Sequence, residues 1–135
     1  MVSRDEIIAN SLPIMERLEK RKTLVMQFKG EEGIGLGPTY EYFTLLAQNL
    51  KAAKNGTLWK VGSSDGTLFP APLDQKSMTE EEVTEVMQLF RLAGTFLAKS
   101  IVDDKLIDLP ISSLMWDLLL GKVSNHFYSS LIIAV

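Results

Sequence analysis

The chain has 135 residues, enough for one domain whose core would bury roughly two-thirds of the surface that the unfolded chain exposes. Its 14 basic and 17 acidic residues are interspersed and sum to −3, with 46% apolar and 23% charged side chains, so wholesale disorder and fibrous repeats are excluded and no polyanion partner is implied. There is no cysteine, which excludes disulfides, zinc ribbons and thiolate catalysis within these residues.

The amino terminus has an acidic pair, Asp5 and Glu6, where a secretory signal would need an apolar run, and nowhere do about eighteen apolar residues follow one another. The expected chain is soluble and intracellular, cytoplasmic or nuclear, with no membrane partner. Ser3 and Glu6 have capping-box spacing, so a helix is expected over 4–19, with Ile7, Ile8, Leu12, Met15 and Leu18 near the helical period. Pro13 lacks an amide donor and is expected to kink or divide it. Lys20, Arg21 and Lys22 at its end suit the negative end of a helix dipole better than a nucleic-acid patch, and no nucleic-acid partner is expected.

Alternation over 23–28 predicts a short strand with Leu24, Met26 and Phe28 on one side. The glycines at 33, 35 and 37 then allow a turn, and Pro38 suits the first turn of a helix predicted over 39–54, stopped by Asn55 and Gly56. Segments 58–61 and 67–69 flank Gly62-Ser63-Ser64-Asp65-Gly66, which reads as a β-hairpin ended by Pro70 and Pro72.

Ser77 with Glu80 repeats the capping-box spacing ahead of a helix over 80–103, roughly 36 Å long at about 1.5 Å per residue. Val83, Val86, Met87, Phe90, Leu97 and Ile101 are expected to face the core, with Gly94 allowing close approach of another element. Ser112 or Ser113 caps a last helix ending before Gly121. The apolar end, Leu131 to Val135, has no charged gatekeeper and needs a covering surface. The fold class is α+β, mainly helical with a short strand and a β-hairpin.

The glycine run between a strand and a helix is where a phosphate cradle would be built. A Walker loop needs Gly-Lys-Ser/Thr at its end, however, and this chain has Gly37-Pro38-Thr39, while a dinucleotide fingerprint starting at Gly35 would need glycine in place of Tyr40. The run therefore reads as a structural turn. Glu31 with Glu32, Glu80 to Glu82, and Asp103 with Asp104 lack a third group for acid–base work and read as solvated faces. His126, the single histidine, has no nucleophile motif beside it. Tyr42, Trp59, Phe69 and Trp116 read as packing residues, because no basic residues interleave them as in a base-stacking platform. No catalytic, cofactor-binding or metal-ligating residue, and no cofactor, is assigned.

Several segments resemble the opening of the HECT ubiquitin-ligase domain in order and spacing. They are Val2-Ser3-Arg4-Asp5-Glu6, the run from Leu24 through Gly33, Gly35-Leu36-Gly37-Pro38-Thr39-Tyr40-Glu41-Tyr42-Phe43, Leu68-Phe69-Pro70, Phe90 through Ser100, and Leu106-Ile107-Asp108-Leu109-Pro110. The wording Gly-Leu-Gly-Pro-Thr is similar to the ubiquitin-fusion-degradation branch of that family. The resemblance implies a partial HECT domain over 1–122, the start of the large lobe, followed by a divergent apolar tail over 123–135.

A HECT domain has a large lobe, part of which docks the ubiquitin-conjugating enzyme, and a small lobe whose cysteine accepts ubiquitin before transfer to a substrate lysine. The resemblance implies that this chain stops before both and is inactive alone. Its partners would be the remainder of the HECT domain and, through the parent ligase, ubiquitin and the conjugating enzyme, with self-association of the isolated piece. The competing readings are a non-catalytic module that binds ubiquitin or a sister ligase, and a phosphate-binding protein using Gly33 to Gly37.

Overall fold

A computed structural model describes residues 1–19, 22–74 and 76–122, with the backbone alone at 55 and 56. The fold is α+β and mainly helical, with two short antiparallel ladders. The expected apolar tail, with His126, and the basic residues Lys20 and Arg21 lie outside the described residues.

Helix α1 (Ile7–Glu16) begins later than its capping signal suggested. Val2 forms a parallel bridge with Phe28, its amide donating to the Gln27 carbonyl at 3.0 Å and its carbonyl accepting from the Lys29 amide at 2.9 Å. That pairing holds the chain extended, so Ser3 cannot cap, and its amide donates instead to Asn10 Oδ1 at 2.8 Å. Pro13 does not divide the helix, and the Arg17 amide still reaches the Pro13 carbonyl at 3.3 Å. Pro13 and Ala9 are both exposed, which leaves the Ala9 carbonyl that lost its partner on the solvent side.

Strand β1 (Met26–Gln27) lies within the expected 23–28 segment and pairs with β2 (Ile34–Gly35), which the glycine pattern had disguised as a turn. Met26 and Phe28 are buried on the predicted side. Gly35 stands at φ 120°, closed to residues with a side chain, and hands the chain directly to helix α2 (Leu36–Ala52). The helix thus starts three residues ahead of its expected position. Thr39, Tyr42, Phe43, Leu46, Ala47 and Leu50 form its buried stripe at helical spacing. It ends in a 3₁₀ turn (Ala53–Gly56), and the left-handed residue described there is Lys54 (φ 55°), one position before the predicted stop.

Strands β3 (Trp59–Val61) and β4 (Leu68–Pro70) form the predicted hairpin, in the register Trp59↔Pro70 and Val61↔Leu68. The Leu68 amide also donates to the Pro110 carbonyl at 2.7 Å and its carbonyl accepts from Ser112 at 2.9 Å, so the connector after the next helix runs parallel to β4.

Helix α3 (Glu80–Val102) is capped by Thr79 and Glu82 in a complete capping box. Ser77 is not the cap, because its hydroxyl closes a turn on the Asp74 carbonyl at 3.1 Å. The core face is also rotated from expectation. Val86 is buried as predicted, but Leu89, Leu92, Ala93 and Phe96 complete the stripe, while Met87 and Ile101 are 63% and 64% exposed. Apolar residues circle more than half of α3, so periodicity alone did not choose between two overlapping stripes. Gly94 faces outward, and a Cβ there would meet nothing within 4 Å, contrary to the close approach expected of it. Helix α4 (Ser113–Leu119) is capped by Ser112, and Gly121 (φ 68°) follows as its left-handed stop; none of its residues is buried.

Aromatic contacts knit the helices together. Phe43 of α2 lies 5.3 Å from Phe96 of α3, and Trp59 meets Phe90 edge-on at 5.3 Å while its indole N–H donates to the Leu50 carbonyl at 2.9 Å. Tyr42 is fully buried and donates to Ser11 Oγ at 2.8 Å, and Ser11 donates in turn to the Ile7 carbonyl at 2.6 Å. Burial pushes the Tyr42 hydroxyl up to about 12, so it stays protonated and keeps donating.

Among the described residues, one charged pair is buried. Lys99 Nζ lies 2.8 Å from Asp103 Oδ1, with side chains only 5% and 6% exposed. Lys99 also donates to the Lys22 carbonyl at 2.5 Å, and Asp103 Oδ2 accepts from the Leu24 amide at 3.4 Å. The pair therefore ties the end of α3 to the segment entering β1. The solvated-face reading of Asp103 is corrected here: the i, i+4 spacing on α3 and the returning chain enclose it. Removing one partner strands the other charge, so Lys99→Met is expected to cost about 3–5 kcal/mol in urea unfolding. The double variant K99M/D103L should recover part of that loss, and a double variant no more stable than the single one would refute the pairing.

Candidate functional site

The strand, glycine turn and helix that could have cradled a phosphate are used internally. Thr39 Oγ1 donates to the Gly35 carbonyl at 2.6 Å and accepts from the Met26 amide at 2.9 Å, with the residue only 2% exposed. Its hydroxyl is thus consumed in fixing β1 and β2 to the first turn of α2, where Pro38 offers no amide. What the glycine run builds is a corner that seats Tyr42 and Phe43 at the centre of the core.

The acidic residues are brought together differently from their order in sequence. Arg4 donates from Nε to Glu31 Oε1 at 2.8 Å and from Nη1 to Glu41 Oε1 at 2.5 Å, with second contacts to the other oxygen of each carboxylate. Its guanidinium stands 4.0 Å from the centre of the Phe28 ring. This clamp joins the amino-terminal segment, the β1–β2 turn and α2. Hydrogen bonds to Glu41 and then Glu31 hold the Arg4 guanidinium above its ordinary value, and the bond from Arg4 holds the Glu41 carboxyl below its own. Glu32 does not join the clamp. Glu82 is held low by the Thr79 amide and hydroxyl, as a capping carboxylate should be. These carboxylates are engaged in holding structure rather than in moving protons.

No sequence signal joins Arg4 to Glu41, 37 residues apart. Lys99 and Asp103 were legible in principle from their i, i+4 spacing. The aromatic residues pack as expected: Tyr42 and Trp59 are buried, and Phe69 and Trp116 are half-buried. Among the described residues, no three or more His, Cys, Asp or Glu side chains converge as metal ligands, and no helix is long and apolar enough to cross a membrane.

The notable surface is apolar. Val25, Leu36 and Tyr40 are exposed around the β1–β2 corner, and Ile101, Val102 and Leu106 are exposed at the end of α3, with Leu106 at 98%. The two groups are neighbours, since Lys105 stands 4.2 Å from the centre of the Tyr40 ring and the Leu24 amide reaches Asp103. Exposed apolar side chains grouped in this way suit contact with another surface.

Because Glu41 is depressed in the folded chain, the clamp's contribution is present above the ordinary 4.5 of a glutamate and fades as pH falls through the lower folded value. Arg4→Gln should return the Glu41 midpoint towards 4.5 in a carboxyl-resolved NMR titration and flatten the acid limb of stability. An unmoved midpoint would refute the clamp.

The family model described as "HECT-domain (ubiquitin-transferase)" matches residues 43–131. Curated relatives include the E3 ubiquitin-protein ligase UPL3 of Arabidopsis thaliana, 30% identical across 90% of this chain and 8% of its own length. The E3 ubiquitin-protein ligase TRIP12 of Danio rerio is 30% identical across 93% of this chain and 7% of its own length. Ubiquitin fusion degradation protein 4 of Saccharomyces cerevisiae is 31% identical across 87% of this chain and 9% of its own length, in agreement with the branch suggested by Gly-Leu-Gly-Pro-Thr. The chain thus spans less than a tenth of the length of these relatives. With the family model covering well over half of the chain, and with the strand–corner–helix motif folded as a single unit, the chain belongs to the HECT (ubiquitin-transferase) family.

Proposed function

We propose that these residues form the supporting base of the large lobe of a HECT ubiquitin ligase and do not themselves carry ubiquitin. The observation that carries this reading is the absence of cysteine from all 135 residues of a chain in a transferase family. Transthiolation requires a thiolate that attacks the incoming thioester, and no side chain here can replace it. The parent ligase would transfer ubiquitin through a cysteine elsewhere to a substrate lysine, inside the cell, in the cytoplasm or nucleus.

Further support comes from how the polar groups are spent. The Thr39 hydroxyl, the Arg4 clamp and the Lys99–Asp103 pair all fix one element to another. The exposed apolar face around Leu36, Tyr40 and Leu106 suits contact with the remainder of the domain. Left uncovered, that face would drive self-association of the isolated chain.

The test is a charging assay with ubiquitin-activating enzyme, a ubiquitin-conjugating enzyme, ATP and ubiquitin. The chain alone should form no reductant-sensitive adduct, whereas a longer HECT chain containing it and a cysteine should form one. A thiol-labile conjugate on these 135 residues would overturn the proposal. Saturable noncovalent binding of ubiquitin by the chain alone would favour an interaction module instead.

A further inference from the structure

Between α1 and α3 lies a groove of about 460 Å³, open to solvent. Its floor is apolar: Leu89 is buried, Ile8 and Leu12 are half-buried, and Ala9 is exposed. A second hollow of about 200 Å³ continues it past Leu12 towards Met15 and Leu92, where Glu16 and Arg91 add one charge of each sign, so the acidic excess lies at the first end. The combined trough follows α1, whose 10 residues extend about 15 Å, the length of roughly three helical turns. Running in the same direction, α1 and α3 form two ridges with an apolar seam between them, which offers a third helix a natural seat.

The charge around one end of the trough is one-sided. Asp5 and Glu6 border it just ahead of α1, and Glu81 and Glu85 border the adjoining surface at the start of α3. Glu85 pairs with Lys54, but Asp5, Glu6 and Glu81 have no ion-pair partner among the described residues. Three exposed carboxylates beside an apolar floor attract cations carried on an apolar surface. We infer that the α1–α3 groove docks a basic amphipathic helix of a protein partner, with its aliphatic side chains on Ile8 and Leu12 and its lysines or arginines against Asp5, Glu6 and Glu81. This face is separate from the apolar patch at the β1–β2 corner.

The full chain can be tested directly, because a single introduced cysteine is unique in it. An environment-sensitive dye on Ala9→Cys reports from the exposed floor, and the same dye on the exposed Lys60→Cys reports from the hairpin. The probes are a leucine–lysine amphipathic peptide of about fourteen residues and its leucine–glutamate counterpart of identical pattern. The lysine peptide should shift the dye at position 9 saturably and leave the dye at 60 unchanged, while the glutamate peptide should do neither. Neutralising the rim with D5N/E6Q should weaken binding about threefold to tenfold, as expected for two exposed charge contacts. The matched charge change E32Q/D104N, away from the groove, should not. Equal response at both dye positions, equal binding of both peptides, equal weakening by both double variants, or no binding would overturn the inference.

Discussion

Most of the described fold is organised by the burial of α2. Its stripe, from Thr39 through Leu50, is almost completely removed from solvent, and α1, both ladders and α3 are what cover it. An apolar stripe of that width requires partners on several sides. The polar groups that enter with it must also be matched, and they are: Thr39 by Met26 and Gly35, Tyr42 by Ser11, and the Leu50 carbonyl by Trp59. Each of those bonds fixes a different neighbour, so one helix sets the positions of β1, α1 and β3 together.

That arrangement explains why the glycine-rich corner has the composition of a ligand loop without behaving as one. Gly35 is needed because the chain leaves β2 at φ 120° and enters α2 immediately, and Thr39 is needed because β1 has an amide to satisfy at the same corner. A phosphate there would have to displace bonds that hold the core. The ionic groups follow the same logic at the periphery. Arg4 fastens the amino-terminal segment to the corner, and Lys99 with Asp103 fastens the far end of α3 to the segment entering β1. The Arg4 clamp and the Lys99–Asp103 pair are thus spent on the geometry of the base itself, as the proposed supporting role requires.

Much of this was legible in the residues. Helical spacing together with cap and stop residues located the four described helices, turn residues located the hairpin, alternation placed Met26 and Phe28 inward, and the family wording was carried by the residues that build the corner. The failures arise where another interaction, tertiary in most cases and a competing local turn in one, overrides a local signal. Ser3 has the spacing of a cap, yet Val2 is drawn into a bridge with Phe28, so the helix starts later. Ser77 has it too, but is held by Asp74, and Thr79 caps instead. On α3, two apolar stripes overlap, and the one containing Leu92 and Phe96 meets α2, which leaves Met87 and Ile101 outside. The Arg4 clamp joins residues with no local relation, and no spacing rule could have found it.

The dominance of α2 is most directly measured by native-state hydrogen exchange on the chain alone. If one helix organises the whole, the amides from Tyr42 to Leu50 should exchange only through global unfolding, while those of α4, none of whose residues is buried, should open locally and much sooner. Exchange in α2 as rapid as in α4 would mean that these residues do not hold their core unaided, and the picture of a self-standing base would fail.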